Sequence, residues 1–146
     1  MPNVFDVAAY ILKKKGAISA LRLQKLVYYA QAWSLVWDDE PLFLSRIEAW
    51  VSGPVSPSLY AAHKGQFKVT PEMIAGNSSV LSGSQRETIE GVLKFYGNKP
   101  TQWLVDLTHS ERPWLDARKG LSPQERGNRI ITHEAMAEYY GSLSRR

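Results

Sequence analysis

Hydrophobic residues recur at helical spacing along most of the chain, and the first such segment lies at the N-terminus. Asn3 is a residue type that caps helix N-termini, and Gly16 is one that ends helices because glycine readily adopts left-handed backbone angles. Lys13, Lys14 and Lys15 precede Gly16 and suit the negative C-terminal end of a helix. This pattern predicts a first helix between Asn3 and Gly16.

The next segment is apolar on every side. It opens at Ser19, a second N-cap, and Ile18 and Leu23 have the spacing of a hydrophobic staple. Its broad apolar face consists of Leu23, Leu26, Val27, Ala30, Trp33, Val36 and Trp37. The other faces carry Leu21, Tyr28, Ala32 and Leu35. A helix that is apolar all round is buried, so residues 19–37 are predicted to form a central helix.

The middle of the chain is predicted to hold little regular structure. The stretch LFLSRIEAWVSGPVSP mixes β-favouring apolar residues with two prolines, which predicts at most a small β element near residues 47–51 and a turn. Ser56 followed by proline predicts a short helix over residues 58–63 that ends at Gly65. The span 66–83 contains proline, glycine and several serines, and is predicted to be a long surface loop.

Helical signals return in the C-terminal half. Ser84 and Glu87 have the spacing of a capping box ahead of apolar residues at 89, 92, 93 and 96, which predicts a helix ending near residue 97. A short helix is predicted from residue 101 to 107 and a further helical turn from Pro113.

The last part of the chain repeats the same features. Ser122 and Glu125 again have capping-box spacing, which predicts another helix start. Residues 129–131 are predicted to form either a strand or the lead-in to a last helix capped by Thr132. The whole pattern predicts a mainly α, compact single domain over residues 1–146, with six to seven helices around the central helix.

Composition supports a folded domain and narrows its location. The chain has 146 residues, of which 44% are hydrophobic and 22% charged, a balance that favours folding over disorder. It contains no cysteine, which excludes disulfides, thiol chemistry and cysteine-bound zinc. The absence of a long apolar run and of a signal-peptide pattern predicts a cytoplasmic protein with no membrane partner.

The charge of the chain argues against a main role in binding nucleic acid. The formal net charge is +4, and two of the positive residues are Arg145 and Arg146 at the C-terminus. An alternative remains in which the first two helices form a helix-turn-helix, with Arg22, Gln24 and Lys25 at the start of a recognition helix. Because such a helix must expose a polar face, the apolar pattern favours a core helix, and any DNA binding is predicted to be weak.

No catalytic or metal-binding constellation emerges from the residues. Asp106, Thr108, His109 and Ser110 imitate a hydrolase site only in sequence, since neighbouring side chains on a helix point in different directions. The histidines, His63, His109 and His133, have no metal-ligand spacing, and no phosphate-binding glycine motif occurs. The chain is therefore predicted to be no enzyme and to need no cofactor or metal.

Three segments together resemble the Panacea antitoxin domain family, which includes SocA-like and phage-associated GepA-like proteins. They are VAAYILKKKGAISALRLQKLVYYAQAWSLVWDDEPLF from Val7 to Phe43, IEAWVSGPVSPSLYAAHKG from Ile47 to Gly65, and LTHSERPWLDARKG from Leu107 to Gly120. The resemblance implies a mainly helical domain that neutralises a cognate protein toxin by direct binding. It also implies an alternative, in which a SocA-like protein acts as an adaptor that delivers the toxin to a ClpXP-type protease.

The resemblance further implies a toxin encoded by the adjacent gene. Some members of the family carry an additional DNA-binding region, and the short distance from the matching segments to both ends of this chain leaves no room for one. Self-repression of an operon is therefore not expected.

The residues of the family motif are interpreted mainly as scaffold, because Gly-Pro turns and buried tryptophans commonly have structural roles. They are Leu23, Lys25, Leu26, Tyr29, Gln31, Trp33, Trp50, Gly53, Pro54, Val55, Tyr60, Thr108, His109, Pro113 and Trp114. The toxin interface is instead predicted on exposed aromatic residues near Trp37 and on the polar loop from Lys68 to Gly83, with Val69 and Met73 as further candidates.

Overall fold

The computed structural model describes residues 1–143, in which seven α-helices surround a common core. The helices are α1 Val4–Lys15, α2 Ala20–Trp37, α3 Pro57–His63, α4 Gly83–Tyr96, α5 Thr101–Ser110, α6 Arg112–Ala117 and α7 His133–Leu143. The strands are β1 Ile18–Ser19, β2 Glu48–Trp50, β3 Gly53–Val55 and β4 Lys68–Val69. The prediction of a mainly α domain with six to seven helices and small β elements is confirmed.

Helix α2 is the centre of the molecule. It packs against α1, α4, α5, α7 and the strand β3, and every residue from Leu23 to Ser34 is buried. In the described part of the chain, the buried apolar side chains form one cluster that extends from Val4 in α1 to Tyr140 in α7. The prediction that residues 19–37 form a central buried helix is confirmed.

Side-chain caps set several helix boundaries where the sequence predicts them. The Asn3 side chain accepts hydrogen bonds from the amides of Phe5 and Asp6, at 2.9 and 3.0 Å, so α1 begins at Val4. Ser19 Oγ accepts from the Arg22 amide at 3.1 Å at the start of α2. These caps satisfy amides that have no partner within the helix, which explains why the chain turns at these residues.

The capping box of α4 lies two residues earlier than the sequence predicts. The box is formed by Ser82 and Gln85, whose side chains accept from each other's amides at 3.2 and 2.8 Å, and not by Ser84 and Glu87. Both pairs have the required spacing. The earlier box places Leu81 directly before the cap, where it is buried in the core, whereas the later one would place a glycine there.

The predicted helix start at Ser122 is also wrong. The Glu125 carboxylate accepts from the Ser122 amide at 3.1 Å, but the chain makes only a turn at this point. Arg118 Nη2 donates to the carbonyls of Ser122 and Glu125, at 3.2 and 2.6 Å. The buried Arg118 guanidinium thus donates hydrogen bonds to carbonyl groups that would accept from backbone amides in a helix.

Two short antiparallel strand pairs support the helices. Strands β2 and β3 form a hairpin in which Trp50 pairs with Gly53, and Ile130 makes an isolated bridge to Glu48. The β elements predicted near residues 47–51 and 129–131 are therefore present. No helix within residues 1–143 is long and apolar enough to cross a membrane.

The second strand pair corrects the prediction of a structureless loop over residues 66–83. Val69 in β4 pairs with Ile18 in β1, and two short 3₁₀ turns, Pro71–Met73 and Ser78–Val80, follow. The side chains of Val69, Ile74 and Leu81 are buried. This segment therefore contains short regular elements and packs three apolar side chains into the core. Val69, predicted as part of a partner interface, is fully buried and cannot belong to one.

Candidate partner-binding surface

A buried lysine lies at the centre of the family-motif residues. The Lys25 side chain is completely buried, and its ammonium nitrogen donates to the Pro54 carbonyl oxygen at 3.2 Å in the β2–β3 hairpin. Burial lowers the pKa of Lys25 to about 7, because a charged group loses its hydration in the interior. Gly53 passes so close to this side chain that a Cβ atom there would lie 2.7 Å from Lys25 Cε.

The motif residues of α5 and α6 complete the same centre. The His109 ring stacks on Trp114, with ring centroids 4.2 Å apart, and the Trp114 indole donates to the Trp50 carbonyl at 2.8 Å. Thr108 donates to the carbonyl of Val105 at 2.8 Å. Burial, with the nearby Lys25 charge, lowers the pKa of His109. These contacts join α2, the β2–β3 hairpin, α5 and α6, which supports the interpretation of these residues as scaffold.

Two buried glutamines of α2 hold the segments that follow it. Gln31 accepts from the Leu42 amide and donates to the Phe43 carbonyl, both at 2.7 Å. Gln24 accepts from the Ser56 amide at 2.8 Å and lies 3.0 Å from the ring of His63. The two side-chain amides can be buried because the oxygen and the nitrogen of each have hydrogen-bond partners. Gln24 and Lys25 are thus directed into the core, which argues against a recognition helix for DNA.

A buried carboxylate that was not predicted from the sequence lies between α2 and α7. Glu111 Oε1 accepts from the hydroxyls of Tyr29 and Tyr140, at 2.8 and 2.7 Å. Burial raises the pKa of Glu111, and the two hydroxyl donors lower it in part. A glutamate between Ser110 and Arg112 has the sequence signature of an exposed helix end, so the pattern holds no signal for its burial.

Replacing Tyr140 with phenylalanine is expected to lower the free energy of unfolding by about 1.5 kcal/mol, because the buried Glu111 carboxylate and the buried Tyr28 hydroxyl each lose a hydrogen-bond partner. Tyr139→Phe is the matched control, since its ring is only half-buried at the adjacent position. Urea unfolding monitored by circular dichroism measures both variants. Equal losses in the two would contradict the stabilising role given to the Tyr140–Glu111 hydrogen bond.

Three of the side chains that imitate a hydrolase site, those of Asp106, Thr108 and Ser110, form hydrogen bonds within α5. Asp106 accepts from Gln102 at 2.7 Å, and Ser110 donates to the Leu107 carbonyl at 2.8 Å. Within residues 1–143 no group of three His, Asp or Glu side chains is placed to hold a metal ion. Neither the Asp106–Gln102 nor the Ser110–Leu107 hydrogen bond pairs a nucleophile with a base. The absence of enzymatic activity stays a prediction.

Exposed aromatic side chains meet in a groove between α2, α4 and α5. Trp37, Phe95 and Trp103 are 50%, 61% and 40% exposed, which is unusual for such large apolar groups. We call this feature, of about 530 Å³, the aromatic groove. It is lined by Trp33, Trp37, Gly91, Val92, Phe95, Tyr96, Trp103, Leu107, Glu111 and Leu143.

The floor of the aromatic groove is fixed to the core. The Trp33 indole donates to the Tyr96 hydroxyl at 3.0 Å, and Tyr96 stacks on Tyr29 with ring centroids 4.1 Å apart. Trp37 in turn stacks on Trp33 at 5.0 Å. Rigid aromatic groups lose little conformational freedom on binding, so such a floor suits a protein interface.

Only part of the aromatic groove is visible in the sequence. Trp37 is among the predicted interface residues, whereas Phe95 and Trp103 were missed. A signal for Phe95 exists, because it lies off the apolar face of α4 that runs through Ile89 and Val92. Of the other predicted interface residues, Lys68 and Met73 are exposed outside the aromatic groove.

Two further clefts offer weaker docking surfaces. One, of about 340 Å³, lies beside Phe67, which is 82% exposed. The other, of about 640 Å³, lies between Tyr60, Lys64 and Arg126, and its Trp50 indole already donates to Glu48 at 2.8 Å. Neither brings together several exposed large rings, as the aromatic groove does. Tryptophan and tyrosine are the residues most enriched at binding hot spots.

Comparison with known proteins identifies similar sequences. The profile of the family described as antitoxin SocA-like, Panacea domain, matches residues 23–115. Antitoxin SocA of Caulobacter vibrioides (strain NA1000 / CB15N) is 32% identical over 124 residues, covering 74% of this chain and 66% of that protein. The chain thus spans just under two thirds of the length of this relative. No solved structure is significantly similar.

Proposed function

We propose that this chain, which belongs to the SocA-like Panacea family of antitoxins, neutralises a protein toxin by binding it directly. The aromatic groove is the observation that carries the direct-binding part of the proposal. Its three exposed rings lie within the segment that the family profile covers. A soluble domain gains nothing in stability from leaving such rings in water, so their exposure favours a binding surface.

Sequestration of the toxin is the mechanism we favour over adaptor action. A stable one-to-one complex buries about 1,600 Å² in total, a substantial share of the surface of a small domain. An adaptor needs a second surface of its own for the protease. On a chain of this size one extended interface is the simpler arrangement, and the aromatic groove can supply its central anchor.

The proposal includes the genetic and cellular setting of the complex. We place the toxin gene next to the gene of this chain, and the complex in the cytoplasm. The absence of cysteine from the sequence suits a reducing compartment.

Co-expression tests this function. The product of the adjacent gene is induced alone and together with this chain, and growth and co-purification are scored. We expect growth arrest without this chain, rescue with it, and a stable complex of the two proteins. Rescue without any complex would contradict direct binding, and a lack of rescue would contradict the antitoxin function.

The fate of the toxin separates sequestration from delivery to a protease. Under sequestration, toxin abundance stays constant after this chain is induced, in cells with and without a ClpXP-type protease. If protection disappears in protease-deficient cells and the toxin becomes longer-lived there, the adaptor mechanism replaces sequestration.

A further inference from the structure

Gly91 lets the Trp37 ring lie close to α4 in the aromatic groove. It lies inside α4, where glycine is less stable than alanine by about 0.5–1 kcal/mol. A Cβ atom there would lie 3.3 Å from Trp37 Cζ3. Any side chain there would crowd the edge of the Trp37 ring, so the glycine lets Trp37 pack close to the backbone of α4 at a cost to helix stability. The position of Trp37 in the aromatic groove therefore depends on Gly91.

The rim of the aromatic groove carries a cation. The Lys99 ammonium lies 4.8 Å from the centre of the Trp103 ring and 5.9 Å from that of Phe95. Both distances are within the range of a cation–π interaction. Among residues 1–143, no carboxylate forms an ion pair with Lys99. The two exposed rings thus hold a positive charge at the mouth of an apolar groove.

The charges at the aromatic groove distinguish an acidic partner from a basic one. An arginine or lysine of a partner would have to displace the Lys99 ammonium from the rings. The Glu111 carboxylate at the floor is poorly placed to form an ion pair with such a cation. It is only 4% exposed and already accepts hydrogen bonds from Tyr29 and Tyr140. A partner carboxylate would instead meet Lys99 without displacing it.

We propose that the aromatic groove binds a segment of the toxin in which a bulky apolar side chain packs on the exposed rings of Trp37 and Phe95 and a neighbouring carboxylate pairs with Lys99. This inference rests on the proposed antitoxin function and names the chemistry of the toxin surface. The apolar side chain supplies most of the affinity, because it is removed from water against rigid rings. The carboxylate sets the orientation of the segment.

Binding of purified variants to the adjacent-gene product tests the aromatic groove. Gly91→Leu forces the Trp37 ring out of its position in the groove and Lys99→Glu reverses the rim charge, and each is expected to raise Kd at least tenfold. The matched controls are Phe67→Ala, an exposed ring elsewhere, and Lys64→Glu, the same charge change on an exposed lysine. Both controls are expected to stay within twofold of the parent chain. Thermal melts of all four confirm that the fold is retained.

Photocrosslinking identifies the occupant. A photoreactive phenylalanine analogue replaces Phe95, whose ring is mostly exposed, and the crosslinked peptide is sequenced. We expect a toxin peptide with a large apolar residue within one helical turn of an aspartate or glutamate. Replacing that acid with lysine in the toxin is expected to restore binding to the Lys99→Glu variant.

Different outcomes overturn different statements. If the parent chain protects cells and Gly91→Leu and Lys99→Glu bind as tightly as the controls, the inference about the aromatic groove is wrong while the antitoxin function stands. A crosslink to a second copy of this chain, or to a toxin peptide with arginine or lysine and no acid, also overturns the inference. If the parent chain does not protect cells, the proposed function itself fails.

Discussion

A Gly53→Ala variant is expected to lose about 3 kcal/mol of stability, with a fall in Tm of roughly 10 °C. Gly53 has φ = +117°, a backbone conformation that residues with a side chain rarely adopt. The added methyl group would also lie 2.7 Å from Lys25 Cε and 3.0 Å from Thr108 Oγ1. Both neighbours are buried, so the hairpin has to move away from α2 and α5.

Gly65→Ala is the control that separates backbone strain from crowding. Gly65 also has a positive φ, of +84°, but a Cβ atom there meets no atom within 4 Å. Its replacement is expected to cost only about 1 kcal/mol. Thermal unfolding followed by circular dichroism compares the two variants. Equal losses would show that the close approach of Gly53 to Lys25 does not constrain the core.

The Gly53 contact illustrates what the sequence could and could not predict about the fold. Residues 19–37 were predicted as a buried helix because apolar residues cover all of its faces, and caps such as Asn3 mark helix starts by local hydrogen bonding. The pairing of Ile18 with Val69 joins segments about fifty residues apart. Strands of two residues carry no detectable alternation, so this pairing and the burial of Val69 were not predictable.

The candidate site was predictable only in part, for a related reason. Trp37 was predicted at the interface together with the loop from Lys68 to Gly83, because loops and the residues beside them tend to be exposed. The aromatic groove, however, exists because α4 and α5 bring Phe95 and Trp103 to the same place. Sequence spacing describes one helix at a time. Which faces of different helices meet depends on packing, and so does the position of Lys99 over two rings.

The burial of charged residues was the hardest feature to predict from residue type. Lysine and glutamate are almost never fully buried without a partner, so residue type favours the surface for Lys25 and Glu111, and only the family resemblance indicated a scaffold role for Lys25. The structure satisfies each of them with neutral groups, a backbone carbonyl for Lys25 and two tyrosine hydroxyls for Glu111. Neutral partners compensate a buried charge poorly, so both groups shift their pKa toward the uncharged form.

The shifted pKa of Lys25 predicts that the protein becomes more stable as the pH rises above neutrality. The pKa is about 7 in the folded chain and returns to its usual 10.5 on unfolding. Between these values the unfolded chain binds a proton that the folded chain has released, so raising the pH favours the folded state. The gain is expected to be about 2 kcal/mol between pH 7 and pH 9.

Between pH 7 and pH 9 the histidines and tyrosines contribute little to the change in the free energy of unfolding. Burial lowers the pKa of His63 and His109 from the usual 6.5, so their contributions to the pH dependence are small above pH 7. Burial raises the pKa of Tyr10 and Tyr96 to about 12, and these tyrosines begin to ionise in the unfolded chain only near pH 10. Above that range the tyrosines oppose the gain from Lys25.

Lys25→Met provides the comparison, because methionine has a similar length and does not titrate. The variant loses the hydrogen bond to the Pro54 carbonyl but also the cost of burying an ammonium group. Urea unfolding at pH 7, 8 and 9 is expected to give a rising free energy of unfolding for the parent chain and a nearly constant one for the variant. Parallel pH profiles would mean that Lys25 keeps its proton throughout this range. The interior around the β2–β3 hairpin would then stabilise a charged ammonium far better than one carbonyl oxygen can.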